Sequence, residues 1–191
     1  MTSSKKTWTA DEREMLFRKN YGKIGLKSYL EKLSLFFATP VQASNLLGLD
    51  ETDSIIKKQN TVLQEQKWIS LTSSQIQAST KPHKLDKGWE YQDVQQILLF
   101  AQSLLDKQSA YLYWYDDSHY CGLYRVDAGT LINLDYDFDK HKPDSISLYA
   151  TDNRFKLYLE YCCDEILCAD EEGFFNFADF LECTYQLYQT K

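Results

Sequence analysis

Between Tyr111 and Cys162 the chain alternates aromatic or aliphatic residues with polar ones in short runs, and turn-forming triplets separate those runs. This pattern constrains the fold more than any other feature. Successive side chains on a strand point to opposite faces, so a two-residue period is what a half-buried strand requires. Tyr111–Tyr115, Tyr120–Val126, Thr130–Asp139, Ser145–Ala150 and Arg154–Cys162 read as five strands, with a short sixth over 164–169. Asp116-Asp117-Ser118, Asp127-Ala128-Gly129 and Thr151-Asp152-Asn153 read as turns. Strands joined by turns this short predict an antiparallel meander.

On either side of that block the period changes. Val94, Ile97, Leu98, Ala101, Leu104 and Leu105 recur at helical spacing, which predicts an amphipathic helix over 90–106. Phe174, Ala178, Leu181, Tyr185 and Tyr188 step by four and three, which predicts a second helix after Gly173. The first fifty residues read as three short helices. The first starts at a capping box, Thr9-Ala10-Asp11-Glu12, and stops near Tyr21-Gly22. A second follows Gly25 with Leu26, Tyr29, Leu30 and Leu33, and a third is capped by Thr39 with Pro40 at its first position. Ile55, Ile56, Val62 and Leu63 suggest a fourth over 51–67. The polar stretch from Ser70 to Gly88 reads as a linker. The expected class is α+β: an N-terminal three- or four-helix module at 1–69, a linker at 70–88, and an acidic domain at 89–191. In that domain a meander of about five strands packs with two helices.

Trp8-Thr9-Ala10-Asp11-Glu12, Leu16, Tyr21-Gly22-Lys23-Ile24-Gly25-Leu26-Lys27, Leu30, Leu33 and Leu47-Gly48-Leu49 together resemble a Myb/SANT-like helix-turn-helix unit over residues 8–49. The resemblance covers roughly a quarter of the chain and implies that the third helix reads the major groove through Gln42, Ser44 and Asn45. That segment carries no Arg or Lys, so phosphate contacts would fall to Lys23 and Lys27, together with Lys5 and Lys6.

Charge is unevenly spread. The net charge is −7, but residues 1–69 carry 11 Lys and Arg against 8 Asp and Glu, while residues 70–191 carry 10 against 20. Such a split suggests surfaces with different partners. No apolar run reaches the ~20 residues of a membrane span, and no apolar stretch follows Lys5-Lys6 as a secretory leader requires, so a cytoplasmic protein is expected. Five cysteines, with no Cys-x-x-Cys, read as free thiols in a reducing compartment. Only three histidines occur, His83, His119 and His141, and no phosphate loop, nucleophile elbow or His-Glu-x-x-His helix is present. The expectation is a non-enzymatic protein without cofactor or metal.

The sharpest local feature is Leu134-Asp135-Tyr136-Asp137-Phe138-Asp139. On a strand it would align Asp135, Asp137 and Asp139 on one face, and carboxylates about 7 Å apart repel one another unless something cationic meets them. With Tyr113, Tyr115 and Tyr124 they form the expected partner-binding set, since tyrosine and carboxylate together suit a protein interface. The function expected from this is a protein-binding inhibitor of a basic partner, as immunity proteins are of nuclease-type bacterial toxins. The alternative is a DNA-binding regulator whose acidic domain senses a ligand or dimerises.

Overall fold

The computed structural model describes residues 8–61, 63–76, 94–166 and 176–190. Chain order is α1 (Ala10–Phe36), α2 (Leu49–Thr61), β1 (Leu63–Ile76), α3 (Val94–Leu105), β2 (Ala110–Trp114), α4 (Tyr115–Cys121), β3 (Tyr124–Val126), α5 (Phe138–His141), β4 (Ser145–Ala150), β5 (Phe155–Ile166) and β6 (Asn176–Thr190). The six strands form one antiparallel sheet in the order β1-β6-β5-β4-β2-β3. The class is α+β, with an antiparallel sheet as the pattern required.

Several elements differ from the sequence reading. The first two expected helices are one. The capping box forms, with Glu12 N–H donating to Thr9 Oγ1 at 3.1 Å and Thr9 N–H to Glu12 Oε2 at 2.9 Å. The helix then runs through Gly22 and Gly25. These glycines are packing notches: a Cβ on Gly22 would lie 2.2 Å from the Tyr120 carbonyl oxygen, so only a glycine lets α4 approach this closely. The helix expected after Thr39 is a loop with one 3-10 turn, Ala43–Asn45. The Thr39 hydroxyl, read as its cap, accepts instead from Leu131 N–H at 2.8 Å, while Phe37 bridges Ile132. Asp116-Asp117-Ser118 opens α4, because Ser118 Oγ turns back to accept from Trp114 N–H at 2.8 Å. Of residues 130–139, 130–137 are a loop with a single bridge and 138–139 open α5, so no strand forms there. The expected C-terminal helix is β6. Leu181, Cys183, Tyr185 and Leu187 alternate with Glu182, Thr184, Gln186 and Tyr188, and that two-residue period outcompeted the weaker helical one once β5 and β1 were there to pair with it.

The core lies on one face of the sheet. Tyr29, Leu33 and Phe36 of α1 and Ile97, Leu98, Ala101 and Leu105 of α3 pack onto Leu112, Trp114, Ile146, Leu148, Leu157, Leu159, Leu181 and Cys183. Phe36 meets Trp114 edge-on at 6.0 Å and Phe100 meets Tyr185 at 5.3 Å, so both helices share that face. Helix α2 lies on the other. Its first turn is held by Leu123 N–H donating to Thr52 Oγ1 at 3.0 Å, and its last by Gln59 donating to Asn153 Oδ1 at 2.6 Å, so it spans from β3 to the β4–β5 turn. Leu123, Ser147 and Tyr149 are buried as well. The segment expected as a separate helical module thus contributes α1 to the common core, and the expected boundary at residue 69, with the first seven residues of the expected linker, falls inside β1. No helix among the described residues is long and apolar enough to cross a membrane.

Candidate functional site

Three segments distant in sequence converge at the end of the sheet where β2 stops and β4 starts. Helix α1 supplies Lys32 and Leu35, the β2–α4 junction supplies Trp114 through Asp117, and the loop around α5 supplies Tyr136 and His141 through Asp144. They enclose a cleft of about 180 Å³.

Each wall has a local cause. Asp116 and Asp117 occupy the first turn of α4, where unpaired N–H groups favour negative charge. Ser118 fixes that turn through a buried contact of 2.9 Å between its hydroxyl and that of Tyr29, so the junction is held to α1 from beneath. Across the cleft, Asp137 caps α5 by accepting from Lys140 N–H at 2.9 Å, and Lys142 ends that helix in the left-handed region at φ 39°. A bulky residue there is strained, and the immediately following Pro143, which is buried, fixes where Asp144 emerges.

The cleft is aromatic at its base and carboxylate-lined at its rim. Tyr136 is in the core, packed edge-on against Phe36 at 5.3 Å and Phe138 at 4.8 Å, and the His141 ring lies over it at 5.2 Å. Burial pushes the Tyr136 hydroxyl well above the usual tyrosine range, and Asp137 adds to the effect. Asp117 is neutralised by Lys32 at 2.6 Å. Asp116 and Asp144 are exposed and make no ion pair among the described residues, and Tyr115 beside them is 52% exposed. Lys142 is the cation of the opposite wall, next to His141. Tyr113, between the core residues Leu112 and Trp114, points to the second face of the sheet, where burial raises its hydroxyl pKa with Tyr115 and Asp116 reinforcing it.

The structure therefore divides the expected partner-binding set. Tyr115 lines the cleft, whereas Tyr113 is half-buried and does not line it. Tyr124 is a core residue, 4% exposed, whose hydroxyl accepts from Gln42 N–H at 3.2 Å, so it is not available to a partner. Asp135 and Asp137 are exposed as expected, but on the loop that carries Tyr136, not on a strand. The backbone of Asp139 is in α5, and its side chain lies outside the described residues. Among the described residues the expected acidic strand face does not form, because Asp135 and Asp137 lie on a loop, and other carboxylates are paired locally: Asp53 with Arg18, Asp127 with Arg125, Asp152 with Arg154 and Asp117 with Lys32. Asp116, Asp144 and His141 were visible in the sequence only as turn and loop residues. Acids opening a segment straight after a strand are the signal that marks a helix start there.

The residues expected to read DNA lie elsewhere. Gln42 and Asn45 border a hollow of about 250 Å³ with Thr39, Tyr124 and Thr130, and Ser44 is exposed on the 3-10 turn. Lys23 and Lys27 are exposed on α1, where Lys27 lies 3.8 Å from Glu31. These five do not share a helix that could enter a groove. As for cations, Glu160, Cys162 and Glu182 bring one ligand atom each to within 4.8 Å of one another on the second face. Cys121 hydrogen-bonds the Gly22 carbonyl, and burial pushes its thiol up to about 11, which suits packing rather than reactivity. No family model, curated protein or solved structure matches the chain.

Proposed function

We propose that this chain is a protein-binding protein that acts by covering a basic partner, as an inhibitor of the immunity-protein type does, and that the cleft at α4 and α5 receives a cationic side chain of that partner. The observation that carries this reading is the placement of Asp116 and Asp144, both exposed and without ion pairs among the described residues, around one cleft beside the exposed Tyr115. A guanidinium fits such a place, since it stacks on an aromatic ring while its planar edge meets carboxylates. The net charge of −7 supports the same partner through long-range steering. Neutralising a toxin by occlusion needs no bond-making machinery.

The test presents the chain with a panel of basic nuclease domains, with binding followed by surface plasmon resonance across a salt series. The double variant D116N/D144N should weaken binding at least ~tenfold, equivalent to ~1.4 kcal/mol, and flatten the salt dependence of the association rate. An unchanged affinity and salt slope would reject the cleft as the contact.

A further inference from the structure

Leu159 of β5 and Leu181 and Cys183 of β6 face the core, so Glu160, Cys162 and Glu182 point to the second face of the sheet. Glu160 and Glu182 are directly opposed partners on adjacent strands, and Cys162 is the next residue of β5 on that face. One donor atom from each lies within 4.8 Å of the other two, and all three residues are half-buried. Without a cation this arrangement works against itself. Like charges directly opposite one another destabilise a sheet, and partial burial removes water that would screen them. Neither carboxylate makes an ion pair among the described residues. Lys156, on the same face of β5, is turned elsewhere: its Nζ lies over the Tyr149 ring at 5.4 Å and the Tyr158 ring at 5.9 Å.

We propose that Glu160, Cys162 and Glu182 bind one divalent cation of the zinc type, with water as its fourth ligand, and that the ion ties β5 to β6. The donor set selects the ion. Calcium and magnesium take all-oxygen ligands and soft ions take sulfur, whereas one thiolate with two carboxylates suits borderline Zn²⁺. Bonds of about 2.3 Å to sulfur and about 2.0–2.2 Å to oxygen set tetrahedral donor separations of roughly 3.5 Å. The donors, no more than 4.8 Å apart, therefore need to close by roughly 1 Å, which the glutamate rotamers supply. On binding, the Cys162 thiol gives its proton to solvent, and one thiolate and two carboxylates then face the two positive charges of the ion. The Tyr158 hydroxyl interacts with Glu160 and helps to orient its carboxylate. This departs from the metal-free chain expected from cysteine spacing, because ligands drawn from two strands leave no short spacing motif.

Titration of the full chain, first stripped with a chelator, with CoCl₂ and ZnCl₂ tests it. Wild type should take up one Co²⁺ with a cobalt–thiolate charge-transfer band in the near ultraviolet, and Zn²⁺ should displace it. C162S should lose that band, whereas C121S, whose thiol sits at the α1–α4 contact, should keep it. E160Q/E182Q should weaken Zn²⁺ binding at least ~tenfold. Melting distinguishes a site from mere repulsion. Metal-free E160Q/E182Q should melt above metal-free wild type, because the opposed charges are gone, and Zn²⁺ should raise the melting temperature of wild type alone. No band in wild type, a band that persists in C162S, or an equal zinc shift in wild type and E160Q/E182Q overturns the proposal. A metal-free double variant no more stable than wild type also overturns it, by removing the repulsion it rests on. The cleft reading is untouched by each of these outcomes, since none of the three residues lines the cleft.

Discussion

Gly22 and Gly25 lie three residues apart on one helix, and a single added methyl group would do opposite things to them. On Gly22 it would sit 2.2 Å from the Tyr120 carbonyl oxygen, a backbone atom that cannot step aside without moving α4. On Gly25 the nearest atom is Cys121 Sγ at 3.9 Å, an ordinary contact. Gly22→Ala should therefore destabilise by about 1–3 kcal/mol through overpacking. Gly25→Ala should stabilise by up to about 1 kcal/mol through higher helix propensity. Urea midpoints at constant m-value would separate the two, and an equal response would refute the notch assigned to Gly22. In the sequence both glycines read as helix punctuation, since nothing local reveals which one another helix will touch.

At the scale of elements, α1 is joined to α2 and α4 by one side chain. Arg18, 8% exposed, donates to both carboxylate oxygens of Asp53 at 2.8 and 2.9 Å and to the His119 carbonyl at 2.9 Å. That hydrogen bond from Arg18 holds the Asp53 carboxyl below its ordinary value of 3.8. A carboxylate with a depressed folded-state pKa stabilises the fold above the unfolded value and loses that contribution as pH falls through the folded one. Asp53 is close to half exposed, so solvent screening keeps the pair's contribution below about 1 kcal/mol. D53N should thus be slightly less stable than wild type at neutral pH, with the difference closing as acid is added below pH 3.8. Guanidinium melts at stepped pH would show this, and a gap that persisted in acid would contradict it. Element type was legible where one period stood alone: the capping box, α3, and strands β2, β4 and β5. It failed in β6, where steps of four and three coexist with strict alternation from Leu181 to Tyr188, and in 130–139, where alternating burial comes from a loop that runs into α5.

For the molecule as a whole, buried tyrosine decides its tolerance of alkali. Burial raises the hydroxyls of Tyr29, Tyr136 and Tyr149 above their ordinary value of 10.0. An acid with a raised folded-state pKa contributes stability that is complete below the unfolded value and is lost as pH rises past it. Stability should accordingly fall steeply above pH ~10, and these three tyrosines should ionise only as the chain unfolds. Tyrosinate absorbance recorded together with far-UV circular dichroism would test this. Complete ionisation ahead of any loss of helix or sheet signal would disprove it. Of the candidate site, the sequence announced the ingredients, tyrosine and aspartate, and one wall of it, Tyr115. Its opposite wall comes from residues 136 to 144, brought there by the pairing of β2 with β4.

By itself the amino-acid order determined the class of fold, the helical start at Thr9, the central strands and the excess of acid in the second half, because each depends on neighbours within a few residues. Tertiary structure decided which glycine is a notch, that α1 is continuous, that the chain's last segment is a strand, and which carboxylates stay free. Those outcomes depend on pairing and burial between residues tens of positions apart. A hydroxyl such as that of Thr39, or a carboxylate such as Asp117, takes whichever partner the finished fold sets beside it.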